Sequence, residues 1–429
     1  MAKRPMPGDR SQRKDDRYLF LESVLSAREK LYISYVGQSI QDNSQLPLSV
    51  LVSELLDYVA RSFHSEKKDR PCRIEKKHRL QPFNPGYFRE SNDLSSFSEK
   101  NFLSARALVS DRIKPLPFIS EGLSDPSKEW NSVDVEDLCG FFTNPSKFLL
   151  ERRLNIYLRE GPAALEETEP FEVKGLERYK INQNLISRTL SGMGTEGIIP
   201  WARASGLLPH GAVGDYVIED LVEGAERFAE KTAAFMKCSE ISPINLNLEI
   251  AEFRVSGVIS GLHEDRLLHY RYARLRAADR LRTWIYHLVL NSLSESGVPR
   301  NSLIAGLKGS GRKDNVWEGW EYPQMEEAGK ILEDILRIYR SGLKRPLPFF
   351  PETSFLYAYW REMKKASKED ALEKAYNKWT GGFYSRGEGE NEYFKLCFKD
   401  DDPLSNEFAA ISEEVYEPMI SHQERLEAG

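Results

Sequence analysis

"INLNLEIAEFRVSGVISGLHEDRLLHYRYARL", residues 244–275, decides the fold class. Ile244, Leu246, Leu248 and Ile250 alternate with polar residues, the two-residue period of a strand. "GLHED" (261–265) is a turn, and "RLLHYRYARL" reads as a further strand beyond it. "AADRLRTWIYHLVLNSL" (277–293) returns to helical periodicity. Upstream, "DYVIEDLVEGAERFAEKTAAFMK" (215–237) is an amphipathic helix, with Ile218, Leu221, Ala225, Phe228, Thr232 and Phe235 on one stripe. Strands framed by helices make this body α/β.

Working outward, "VDVEDLCGFFTNPSKFLLERRLNIYL" (133–158) predicts two short helices broken at Asn144-Pro145. "EEAGKILEDILRIYRSGLKRPLPFFP" (326–351) predicts a helix stopped by Gly342, with Pro346 beyond it. "PFFPETSFLYAYW" (348–360) suits either a partner interface or a buried core element. Residues 64–115 are charged, rich in Pro and Ser and aperiodic, a linker or surface excursion. Before it come a helix ("LFLESVLSAREK", 19–30), a strand ("LYISYVG", 31–37) and a second helix ("PLSVLVSELLDYVARSF", 47–63). So apolar a strand suits a sheet buried on both faces, and one strand is no sheet. The chain is therefore expected to begin inside a domain, with bodies at 1–63 and 116–429 joined by 64–115.

Composition bounds the function. A formal charge of −6 argues against a general nucleic-acid coat and leaves room for a local basic stripe. Cys72, Cys139, Cys238 and Cys397 lie far apart, without a close ligand pair, so free thiols of a cytosolic protein are expected rather than a metal centre. No run approaches the length of apolar sequence that crosses a bilayer. The basic N-terminus has no apolar core behind it and reads as a solvated tail.

Two glycine-rich stretches imitate phosphate loops. "GMGTEG" (192–197) follows a helix rather than a strand, so no amide cradle is aimed at a pyrophosphate. "GLKGSGRK" (306–313) has Arg312-Lys313 where a Lys-Ser/Thr pair would supply the magnesium ligand, and reads as a hairpin turn between "NSLIA" and "VWEGWEY". His263, Glu264 and Asp265 are adjacent at a turn and are expected to face water.

"DDRYLFLESVLSAREKLYIS" (15–34) resembles the last conserved helix of a superfamily-1 DNA helicase, which reads roughly E-x-R-R-L-x-Y-V-A-x-T-R-A-x-x-x-L. Asp16, Arg17, Leu19, Ala27 and Leu31 match, but Leu25-Ser26 stands where Thr-Arg belongs. Together with "EPFEVKGLERYKINQNLI" (169–186), "RPLPFFPETS" (345–354) and "RGEGENEYF" (386–394), this makes the chain similar to the gamma-chain (RecC) family of exodeoxyribonuclease V from about Asp15 to its end. The similarity covers the C-terminal part of that family, and the opening residues resemble an internal family segment, so Met1 is not expected to be the natural start.

The resemblance implies a remnant of a superfamily-1 helicase-like domain followed by a degenerate nuclease-like α/β domain of the PD-(D/E)XK class. In active motors the missing arginine stabilises charge in phosphoryl transfer. Ser26 has no charge, and Arg28 points about 200° around a helix from it. In active nucleases a strand ending G-x-I-D, a strand ending D-Y-K and a helix with Gln and Tyr hold Mg²⁺ and activate water. "GVIS" puts Ser260 at the first Asp. "HYR" puts His269 at the second and Arg271 at the Lys. "TWIYHL" keeps Tyr286 and puts Trp284 at the Gln. Hard cations prefer charged oxygens, which Ser260 and His269 do not offer. An upstream histidine of active members corresponds to Asp215, and Asn144 stands at an iron–sulfur cysteine of relatives. No catalytic or metal residue is expected.

Arg266 to Arg282 holds six arginines and one acid, Asp279. Arg271, Arg274, Arg276, Arg280 and Arg282 would contact DNA phosphates or pair with acidic groups of this or a neighbouring chain. The resemblance implies a noncatalytic subunit that splits duplex ends and threads single strands. Its partners are a RecB-like beta chain and a RecD-like alpha chain in the bacterial cytoplasm, associated with the nucleoid, and Mg²⁺ and ATP are bound by those partners. One rival is an active metal-dependent nuclease recruiting Glu252 or Asp265; the other is a free-standing helicase remnant.

Overall fold

The computed structural model describes residues 6, 10–39, 41–42, 44–63, 74–89, 94–111, 118–119, 121–158, 172–173, 175–194, 197–236, 240–295, 297–308, 317–382, 385–398 and 402–426. The chain divides into two units, Met1–Lys114 and Pro115–Gly429.

The first unit carries helices α1 (Gln12–Ser26), α2 (Val50–Ser62) and α3 (Glu99–Val109), with a 3₁₀ turn at Pro85–Tyr87. The Ser49 and Ser98 hydroxyls cap α2 and α3 by accepting the amides of Val52 and Asn101. Three expectations are corrected here. The helix foreseen at 19–30 starts earlier and stops at Ser26, so Arg28 lies beyond it, and no α1 residue is buried to hold a further turn. "LYISYVG" forms no strand: Tyr32 is 82% and Val36 70% exposed, and the nearest pairing is an isolated bridge of Gln38 with Gln45. An extended apolar segment becomes a strand only where another edge meets its amides and carbonyls, and the described residues of this unit supply none. Finally, α3 lies inside the stretch read as an aperiodic linker or surface excursion; its Ser98 cap was the overlooked signal.

The second unit opens with β1 (Ser132–Asp134), α4 (Val135–Thr143) and α5 (Pro145–Phe148), the break falling at Asn144-Pro145 as foreseen. Then follow α6 (Gly175–Leu190), α7 (Ile198–Ala204) and α8 (Ala212–Ala233), and after them β2 (Ile244–Ile250), β3 (Phe253–Ile259) and β4 (Arg266–Arg274). Helix α9 (Ala277–Ser292) leads to β5 (Asn301–Leu307) and β6 (Trp317–Tyr322). The C-terminal part consists of α10 (Ala328–Gly342), α11 (Pro351–Glu362), α12 (Lys368–Thr380), the two-residue strands β7 (Gly381–Gly382) and β8 (Ser385–Arg386), α13 (Glu392–Phe398), α14 (Asn406–His422) and β9 (Glu424–Leu426).

The strands form a sheet ordered β1-β3-β2 and a second ordered β4-β5-β6-β9. β1 runs parallel to β3, and β4 parallel to β5 with α9 as the crossover; β2/β3, β5/β6 and β6/β9 are antiparallel. The unit is thus mixed α/β, as its alternating periods require. Residues 244–260 are a hairpin, not one strand: Ile250 pairs with Phe253 across Ala251-Glu252, and Ala251 takes a φ of 50°. No Gly, Asn or Asp marks that turn, so the sequence hid it.

Helix α9 is the central element. Nearly every side chain from Leu281 to Leu290 is buried, which only a helix enclosed on all sides sustains. It packs on α4, α10, α11, α14 and β5. β5 is buried along almost its whole length, with Ile304 in the α9 core and Ala305 and Leu307 facing α6 and α8. The aromatic stretch 348–360 proves to be core at Phe349, Phe350 and Tyr357, all fully buried. No helix is long and apolar enough to cross a membrane among the described residues.

Candidate functional site

The site is the cleft where β3 ends, β4 passes and the first turns of α9 meet α4. Leu262 bridges Leu267 and the Leu268 amide donates to the Gly261 carbonyl, so the antiparallel register carries Ser260 opposite His269. Gly257 lets β3 approach closely: at its φ of 138°, a Cβ would stand 2.9 Å from Val135 Cγ1 and 3.1 Å from Asp134 Oδ2. β3 is thereby pressed onto the β1–α4 corner, which delivers Glu136.

Glu136 is the residue that sequence reasoning missed. Its carboxylate accepts a 2.6 Å hydrogen bond from the Tyr286 hydroxyl and forms an ion pair with Arg282. Burial works to raise its pKa, but the hydrogen bonds from Tyr286 and Arg282 outweigh it and hold the carboxyl below its ordinary value. Burial and the bond to Glu136 push the Tyr286 phenol well up. The only signal in the sequence was Asp134-x-Glu136 opening a helix, where Asp134 caps α4 by accepting the Glu136 amide.

His269 packs edge-on against Tyr286, ring centroids 5.1 Å apart, and its Nδ1 lies 3.0 Å from the Thr283 hydroxyl. The same hydroxyl lies 3.2 Å from the Asp279 carbonyl, which ties the ring to the first turn of α9. Burial, helped by the Arg282 charge, lowers the His269 pKa to about 4.

The arginines divide sharply. Arg271 meets both Asp279 oxygens, at 2.8 and 2.9 Å, and lies over the Tyr179 ring. Arg280 is 3.7 Å from Glu318 and stacks 4.3 Å from the Trp320 centroid, with 11% of its side chain exposed. Arg266 pairs with Asp265 and Glu321, and Arg282 with Glu136. Arg274 and Arg276 are exposed and their guanidiniums meet no carboxylate among the described residues, although the Arg276 amide donates to Asp279.

Other foreseen positions lie elsewhere. Trp284 is fully buried, stacked on His287 on the side of α9 away from Glu136, because two residues turn a helix by about 200°. Ser26 donates its hydroxyl to the Ser23 carbonyl within α1. Asp215 pairs with Arg203 on α7, and Asn144 donates to Asn391 while capping α5. Glu252 pairs with Arg340. His263 is buried, correcting the expectation that it faces water. β5 and β6 pair antiparallel with Leu307 opposite Trp317, while residues 309–316, which hold most of the turn foreseen at 306–313, lie outside the described residues. Residues 195–196 of "GMGTEG" likewise lie outside them, and helices α6 and α7 flank the stretch. Cys72 and Cys238 lie outside the described residues; Cys139 and Cys397 are free and buried, and burial pushes the Cys397 thiol up to about 11.

Comparison with known proteins gives this geometry a lineage. The RecC C-terminal domain model matches residues 130–362, more than half of the chain. The RecBCD enzyme subunit RecC of Escherichia coli is 30% identical over 421 residues, covering 93% of this chain and 36% of that protein. The Haemophilus influenzae RecC subunit is 31% identical over 68% of this chain and 26% of its own length, and that of Mycolicibacterium smegmatis 26% identical over 83% and 32%. The chain thus spans about a third of the length of the curated relatives it matches. On the domain match and on similarity extending over nearly the whole sequence, the chain belongs to the RecC family.

Proposed function

We propose that the chain acts as a noncatalytic DNA-handling and scaffolding part of the exodeoxyribonuclease V gamma subunit, in repair of double-strand breaks by homologous recombination. The observation that carries the reading is the RecC similarity over 93% of the chain. The element order α8-β2-β3-β4-α9-β5 supports a nuclease-like ancestry for residues 116–429, with the cleft between Ser260 and His269 as its former metal seat. In that cleft the Glu136 carboxylate is taken up by Arg282 and Tyr286, while Ser260 and His269 offer a hydroxyl and a neutral imidazole, a set that fits Mg²⁺ badly. Residues 1–63 are read as the helicase-like remnant and 64–115 as the connection. Arg274 and Arg276, and the paired arginines less directly, touch phosphates. Mg²⁺ and ATP serve the beta and alpha chains, the whole working in the bacterial cytoplasm near the nucleoid. No observation favours the rival nuclease: Glu252 and Asp265 are both taken by arginines.

Co-expression with the beta and alpha chains tests this. The chain should co-purify with them in a defined ratio and bind blunt duplex ends as part of that assembly. A monodisperse chain that ignores both partners would overturn the reading.

A further inference from the structure

The arginines of the second unit are largely matched with acids; those around one groove of the first unit are not. The groove lies between the 3₁₀ turn and α3, encloses about 380 Å³, and is floored by Pro85, Phe88, Phe102 and Ala105 with Arg89 and Arg106 at its rim. Phe88 and Phe102 meet edge to face at 5.6 Å, and Phe102 is 44% exposed, so an aromatic face is open to a ligand. Outside that lining, beside the 3₁₀ turn, Arg79 places a third guanidinium over Gly86. Its backbone amide donates to the Tyr87 hydroxyl at 2.6 Å, and its side chain lies so close over Gly86 that a Cβ there would collide with it. Lys76 and Lys77 precede it, exposed. None of these five cations has a carboxylate partner among the described residues; nearby Glu75 accepts the Tyr35 hydroxyl instead.

We propose that this groove binds single-stranded nucleic acid, one base lying against Phe102 and its flanking phosphates on Arg89, Arg106 and Arg79. Uncompensated guanidiniums beside an aromatic floor are the combination that holds a strand without reading its sequence: every base has a π-face, and every nucleotide a phosphate. An acidic peptide would satisfy the cations but leave the aromatic floor without a planar partner. The site deepens the DNA-handling reading and rests on it.

The test is fluorescence anisotropy of the full chain with a labelled oligothymidylate across a salt series. Thermal melting verifies that each variant is folded, and Phe102→Leu keeps the floor filled while removing the π-face. Phe102→Leu should weaken binding about tenfold with the salt slope unchanged. Arg89→Gln with Arg106→Gln should weaken it and flatten the slope of log K against log salt by about 0.7 for each phosphate that is no longer neutralised. Wild-type affinity in either variant overturns the site while the DNA-handling reading stands. An acidic peptide binding where the oligonucleotide does not, or a wild-type chain that binds no oligonucleotide, also overturns the site; the DNA-handling reading falls only if the chain assembled with its partners ignores duplex ends as well.

Discussion

At the scale of single residues, the cleft is an arrangement of neutralised charges. Tyr286 and Arg282 converge on Glu136, while His269 is kept neutral beside them. Replacing Tyr286 by Phe removes a charge-assisted hydrogen bond, for which a loss of about 1 kcal/mol is expected in urea unfolding. His269 makes stability depend on pH. Its folded pKa of about 4 lies below the ordinary 6.5, so the unfolded chain takes up the proton first. Its contribution is complete above about pH 6.5 and is lost as pH falls towards 4. His269→Phe should flatten the unfolding free energy across that window, and an unchanged slope would count against a buried, neutral ring. Ser260 and His269 were singled out in the sequence only by the motif positions that the family resemblance implies; the strand period by itself marks neither. Glu136 was not, because its partners Arg282 and Tyr286 lie about 150 positions away and no local pattern marks a contact made by tertiary folding.

At the scale of elements, two carboxylates tie helix starts to one another. Glu388 accepts the amides of Glu352 and Thr353 at the head of α11, and Glu352 accepts the Ala277 amide at the head of α9. The segment "RGEGENEYF" therefore sets α11, which in turn sets the arginine-bearing end of α9. Glu352→Ala should cost about 1 kcal/mol and speed hydrogen exchange in the first turn of α9. The β2–β3 turn offers the opposite outcome. Ala251 holds a left-handed φ, so Ala251→Gly should stabilise the chain by roughly 0.5–1 kcal/mol, read as a raised melting temperature. Helices α8 and α10 were legible because their stripes and stops are local features. The strand foreseen at 31–37 failed because strand formation depends on a partner edge, which a sequence window does not contain.

At the scale of the whole molecule, the second unit has a core wrapped around α9, and the cleft between β3, β4 and α9 lies at its edge. Trp284 anchors that core: it is fully buried against His287 and Tyr322, and Trp284→Ala should cost about 3–5 kcal/mol in denaturant unfolding. The most direct measurement is digestion of linear duplex DNA by the purified full chain in Mg²⁺ or Mn²⁺, beside the chain assembled with the beta and alpha subunits. The account predicts intact DNA with the chain alone and degradation only in the assembly. Cleavage by the chain alone, abolished by replacing Glu136, His269 or Asp265, would contradict it.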